Sequence, residues 1–176
     1  MTASVQVKKS TNVRSSNALP WIRRGVGALQ AVAPTAAARA AVHLFFRTRR
    51  MPESDEGRAL TAGARPFTVP LGAERLAAWS WGEGPAVLLV HGWNGRATQL
   101  GAFVEPLVAS GLRAVAFDHV GHGDSSGSST TIPQMAEAIA TVARASGGAS
   151  AVIAHSLGAG AAVLAMHDGL AVERAA

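Results

Sequence analysis

Between Pro85 and His91 the chain runs Ala86-Val87-Leu88-Leu89-Val90 without a polar residue. A strand with one solvated face alternates polar and apolar side chains, so an unbroken apolar run of this length reads as a strand covered on both faces. Such strands belong to parallel sheets, whose neighbours must be joined by crossovers, usually helical. The sequence downstream supplies them. Leu100, Phe103, Val104, Leu107 and Val108 recur at helical spacing, with Pro106 expected to kink the helix. Ala114-Val115-Ala116-Phe117 is a second buried strand. After a Gly/Ser-rich loop, Ile132 to Ala145 is expected to be helical, with Pro133 in its first turn and Met135, Ile139 and Val142 on one face. Ala151-Val152-Ile153-Ala154 is a third strand, followed by a helix from Leu157 to about His167 that stops near Gly169. The alternation predicts an open, mostly parallel α/β sheet with flanking helices. Right-handed crossovers would gather the functional loops at the carboxyl ends of the three strands.

Upstream the pattern differs. Phe67 to Leu71 and Arg75 to Trp81, separated by Gly72-Ala73-Glu74, read as an antiparallel pair. Pro34 to Arg50 reads as a helix, with Ala37, Ala41, Leu44 and Phe45 on one face and Arg39, His43, Arg47 and Arg50 on the other. Met51 to Gly57 reads as a linker, and residues 1–20 as a mobile tail. Two regions are therefore expected: a basic N-terminal tail and helix over 1–65, and an α/β core over 66–176. Residues 1–65 carry eleven Lys or Arg against three acids, and 66–176 carry five against eight. Only two of the sixteen cations are Lys, aromatics are few, and no nucleic-acid module signature is present, so nucleic acid is not an expected partner. The basic helix allows a weak contact with an anionic membrane surface. No apolar stretch is long enough to span a bilayer, and a cytoplasmic location is expected. Arg23-Arg24 before the weakly apolar Gly25–Ala33 offers a twin-arginine export signal as the alternative. The absence of Cys rules out a disulfide scaffold and decides nothing about compartment.

Each strand end carries residues with chemical meaning. Ala154-His155-Ser156-Leu157-Gly158 puts a Ser on the turn between strand and helix, where a strained backbone lifts the hydroxyl above the sheet and small neighbours let strand and helix approach. The plainer reading is a Ser that caps the helix. His91-Gly92-Trp93-Asn94-Gly95 follows the first strand. Glycines there let a backbone N–H turn inward, and the amides of Trp93 and Leu157 would form a two-donor oxyanion hole; the plainer reading is a tight turn. The second strand ends in Asp118-His119-Val120-Gly121-His122-Gly123-Asp124-Ser125. There Asp118 can organise the loop through backbone N–H groups while Gly121 and Gly123 take turns closed to other residues. A metal site from Asp118, His119, His122 and Asp124 is the less favoured reading, without an H-E-x-x-H or Cys/His pattern behind it.

HGWNG at 91–95, the D-x-x-G-x-G-x-S pattern from Asp118 to Ser125 and AHSLGAG at 154–160, in this order and on these elements, resemble the α/β-hydrolase superfamily over residues 66–176. The resemblance implies the N-terminal half of that fold, with Ser156 as nucleophile and Trp93 and Leu157 as oxyanion donors. His91, Gly92, Asp118, Gly121, Gly123 and His155 would organise the loops. A Ser elbow is similar to the esterase and lipase branches rather than to dehalogenases and epoxide hydrolases, whose nucleophile is Asp. The implied substrate is a small ester, and no cofactor or metal is implied.

In that family the acid and the His of the triad follow the nucleophile, and twenty residues follow Ser156 here. His167 and Asp168 close a helix that carries them about 16 Å from Ser156, beyond hydrogen-bond reach. Two expectations follow: a truncated serine hydrolase that is catalytically crippled alone, or a non-catalytic half-domain that binds or assembles, or self-associates, through an open sheet edge. In both, the strand before Ser156 is expected to lie exposed at that edge.

Overall fold

The computed structural model describes residues 19–176. Most of the tail expected over residues 1–20 lies outside them. The chain divides into two compact units, one ending at Leu44 and the other spanning Phe45–Ala176. The first contains α1 (Leu19–Val32), which includes Arg23 and Arg24, and most of α2 (Pro34–Phe46). Pro34 starts α2, where its missing N–H costs nothing. No described helix is long and apolar enough to cross a membrane.

The second unit holds a six-stranded sheet in the order β1-β2-β4-β3-β5-β6. Its strands are β1 (Arg65–Leu71), β2 (Glu74–Trp81), β3 (Ala86–Val90), β4 (Arg113–Phe117), β5 (Ala151–Ala154) and β6 (Arg174–Ala175). The pairs β1/β2 and β2/β4 are antiparallel, whereas β4/β3, β3/β5 and β5/β6 are parallel. All five residues of β3 are buried, which is why the run contains no polar position. Leu88 and Val90 face a core with Val115, Phe117, Met135, Ile139 and Val142. Leu89 faces a smaller core with Trp81, Ala97, Val104, Ala114 and Ala116.

The helices of this unit are α3 (Asp55–Ala62), α4 (Val104–Ala109), α5 (Ile132–Ala145) and α6 (Leu157–His167), with a 3-10 helix over Ala97–Phe103. The break between the 3-10 helix and α4 falls at Phe103–Val104, so Pro106 sits in a first turn rather than at an interior kink. α5 begins under Thr131, whose hydroxyl accepts from the Gln134 N–H at 3.3 Å, with Pro133 in the first turn. Thr131→Ala is expected to lower stability by about 1 kcal/mol, read as the displaced midpoint of urea unfolding.

Three expectations are corrected. The helix begun at Pro34 stops at Phe46, not Arg50, because the chain from Arg47 is drawn onto the Asp118 loop: Arg47 bridges Ser129, and Thr48 donates from its N–H to Ser128 O and from its hydroxyl to Gly121 O. The supposed linker at 51–57 contains the start of α3, capped by Ser54, whose hydroxyl accepts from the Gly57 N–H at 3.0 Å. The Trp81 indole pins that helix to β2 by donating to Leu60 O. The compact unit thus starts at Phe45, ahead of the expected core at 66. Finally, β5 is not a bare edge. Ala151 and Val152 pair with Arg174 and Ala175, and Ala154 N–H donates to Ala176 O.

Candidate active site

Ser156 joins β5 to α6 with φ 56° and ψ −127°, a conformation that disfavours any side chain except in a turn held from both sides. It is held by packing. A Cβ at Gly158 would lie 2.4 Å from His91 O and 3.0 Å from Val90 O, so only glycine lets α6 approach the end of β3. Ala154, where the family pattern has glycine, packs half-buried against the larger core. The Ser156 side chain is exposed and does not cap α6, which removes the capping reading. His155 donates its N–H to Val90 O and accepts from the Gly158 N–H, while its ring is exposed.

The loop after β3 closes on this turn. A Cβ at Gly92 would stand 3.0 Å from both Ser156 Cβ and His155 O. Among the described residues neither the Trp93 nor the Leu157 backbone N–H makes a hydrogen bond, although the neighbouring amides of Asn94, Gly95, Gly158 and Ala159 all do. One unpaired amide thus follows Ser156 directly, and the other follows Gly92, which packs against the Ser156 side chain. That arrangement is chemically suited to receiving an oxyanion at a helix N-terminus.

The loop after β4 is held by Asp118 and three histidines. Asp118 accepts from the N–H groups of Ala97 (2.7 Å) and Asp124 (2.8 Å), and its carbonyl accepts from the Ser125 hydroxyl at 2.5 Å. Burial is the largest influence on its carboxyl and raises its pKa, against the pull of those amides and of Arg96. A side chain on Gly123 would collide with that carboxylate, and Gly121, at φ 76°, abuts the Thr48 hydroxyl.

His91 Nδ1 donates to Gly92 O at 2.7 Å, and its Nε2 accepts from the His119 N–H at 3.1 Å. His122 Nδ1 donates to Val120 O at 3.0 Å, and its Nε2 accepts from the Asn94 N–H at 3.0 Å. Both rings are thus neutral. Burial drives the His91 pKa down to about 3 and lowers those of His119 and His122 as well. His119 is fully buried between His91 and Phe117, at ring distances of 4.8 and 4.9 Å, with neither ring nitrogen bonded. Among the described residues no group of His, Cys, Asp and Glu is arranged to hold a metal, and Asp118 and His122 are engaged by backbone.

Several residues of the site were not expected from sequence. Arg96 lies almost buried between Glu53 and Asp124, at 3.6 and 3.2 Å. Arg50 donates to the carbonyls of His122, Gly123 and Gly127. Arg49 N–H donates to Asn94 Oδ1 at 2.8 Å, tying the same segment to the loop after β3. An apolar pocket of about 320 Å³ opens beside the two free amides, lined by Phe45, Phe46, Trp93, Ile132 and Leu157. The Phe45-Phe46 pair, with its exposed aromatic ring, was the one signal for it.

A profile of the serine aminopeptidase S33 family matches residues 84–174, more than half of the chain. No curated protein matches it. Among solved structures, an α/β hydrolase from Sphaerobacter thermophilus is 32% identical, with a TM-score of 0.56 over 62% of this chain and 43% of that one. An epoxide hydrolase from Vigna radiata is 25% identical, with a TM-score of 0.55 over 60% of this chain and 36% of that one. An esterase from Pyrococcus furiosus is 18% identical, with a TM-score of 0.60 over 70% and 52%. The chain spans about a third to a half of the length of these structures.

Proposed function

Because the chain belongs to the serine aminopeptidase S33 family and has the α/β-hydrolase fold, we propose that it carries the nucleophile and oxyanion half of a serine hydrolase site that acts on small esters. The observation that supports this reading best is the exposed Ser156 on a strained turn, where the loop that carries the unpaired Trp93 amide packs against the turn that carries the unpaired Leu157 amide. Ser156 Oγ attacks the ester carbonyl carbon and its proton passes to a base. The Trp93 and Leu157 N–H groups hold the developing oxyanion, the alkoxide leaves with a proton, and water releases the acyl group. His91, Gly92, Asp118, Gly121, Gly123 and His155 keep the loops around that centre in place. A Ser rather than an Asp at the elbow favours ester chemistry over epoxide opening.

Among the described residues no side chain is hydrogen-bonded to the Ser156 hydroxyl as a base would be. The bonded His rings are neutral and turned into loops, and His167 ends α6 eleven positions from Ser156. Losing the base of a serine triad costs on the order of 10⁶ in turnover in a well-studied protease, so the chain alone is expected to be a very poor esterase. Imidazole can stand in for it. With p-nitrophenyl butyrate and imidazole, the chain should release about one equivalent of nitrophenolate and gain one butyryl group, whereas Ser156→Ala should show only the imidazole background. Equal acylation of Ser156→Ala would refute the reading.

A further inference from the structure

We propose that the segment Phe45–Arg50 is a built wall of the acyl-binding site, and that the pocket it closes takes the straight apolar chain of a medium-length acyl group. The proposal rests on the serine hydrolase reading for its chemistry but not for its geometry. Phe45 and Phe46 sit edge to face at 5.1 Å and line the pocket together with Ile132, at the start of α5, and with Trp93 and Leu157. The lining side chains are hydrocarbon apart from the Trp93 indole N–H, so a charged group has no counter-ion there and a polar one at most a single donor. Trp93 and Leu157 are the same two residues whose backbone N–H groups are unpaired. An acyl carbon held at those amides therefore directs its chain into this space.

The wall is fixed rather than incidental. Phe46 O accepts from the Thr130 N–H, Thr48 is bonded to Ser128 and Gly121, and Arg50 caps three carbonyls of the loop after β4. Arg49 N–H holds Asn94, the residue after Trp93. One short segment thus locks both loops that frame the pocket. Phe45 stays 75% exposed at the mouth, where a large apolar side chain has little to gain unless a ligand covers it.

Carboxylates mimic the acyl product and need no catalysis, which separates this test from that of the nucleophile. The ¹⁵N-labelled chain is titrated with butanoate, hexanoate and octanoate. Affinity should rise about fourfold for each added methylene until the pocket is full. The Trp93, Leu157, Phe46 and Ile132 amides should shift together. Ile132→Trp, a change at a solvent-exposed position that should leave the fold intact, should block octanoate more than butanoate, and Phe46→Ala should flatten the chain-length dependence. Equal affinity for the three acids, shifts mapping elsewhere, or unchanged octanoate binding by Ile132→Trp would each overturn the proposal. If the acids bind as expected while Ser156 is not acylated, the pocket stands and the nucleophile does not.

Discussion

Gly158→Ala is expected to destabilise the protein by about 3 kcal/mol, while Gly160→Ala, two positions along the same helix, stabilises it by about 0.5–1 kcal/mol. The opposite signs come from where the two Cβ atoms point. At Gly158 the added carbon meets His91 O at 2.4 Å and Val90 O at 3.0 Å, both backbone atoms of the chain leaving β3, so relief requires α6 to retreat from the sheet. That retreat loosens Ala161, Ala162 and Ala165 from the core they share with Leu88 and Val90. It also moves the Leu157 amide away from Trp93. At Gly160 nothing lies within 4 Å, and the change only removes backbone freedom from the unfolded chain. Thermal unfolding should place Gly158→Ala about 10 °C below the parent and Gly160→Ala slightly above it. Equal midpoints would mean that the contact between β3 and α6 does not set the turn.

Acidification from pH 7 to pH 5 is expected to weaken folding by about 2 kcal/mol through His91 alone, with further losses from His119 and His122. The unfolded chain takes up a proton on each imidazole near pH 6.5, whereas folded His91 resists it until about pH 3. Stability is therefore intact above pH 6.5 and falls as pH drops from there toward 3. The hydrogen bonds explain the resistance. His91 Nε2 and His122 Nε2 each accept from a backbone N–H, and a proton on either nitrogen would set donor against donor. Asp118, with its pKa raised by burial, gains from protonation in the fold and offsets part of the loss. His119→Phe sharpens the test, because the backbone N–H that serves His91 is retained while two unbonded ring nitrogens disappear. That variant should be folded at pH 7 and show a shallower decline between pH 6.5 and 5 in urea unfolding. A decline as steep as the parent's would remove His119 from the account.

The parts of the fold that the sequence states clearly are those where one signal dominates. β3, α5, β5 and α6 begin and end where the apolar runs, Pro133 and the A-H-S-L-G turn place them, because local pattern and tertiary burial agree there. α3 is harder to read. Pro52, Ser54 and Gly57 signal a turn, yet Ser54 followed by Asp55 and Glu56 is also a capped helix start with acids where the dipole favours them. The end of α2 is not local at all: Arg47 to Arg50 have every reason to continue a helix until Ser128, Gly121 and the loop carbonyls compete for them. Within the site, Ser156 and the glycines announce themselves through motif and strain. The wall formed by Phe45 and Phe46 and the ion pairs of Arg96 depend on contacts between residues far apart in sequence, which no spacing rule encodes.

The central claim is that Ser156 is a nucleophile already set against its oxyanion donors and short only of a base. Treating the folded chain with a fluorophosphonate in the presence of imidazole, then mapping the adduct by peptide mass spectrometry, tests it directly. The expected result is a single phosphonyl group on Ser156, formed faster as imidazole is raised and lost on unfolding in urea. An unmodified Ser156 in the folded chain, or equal labelling of other hydroxyls, would contradict it.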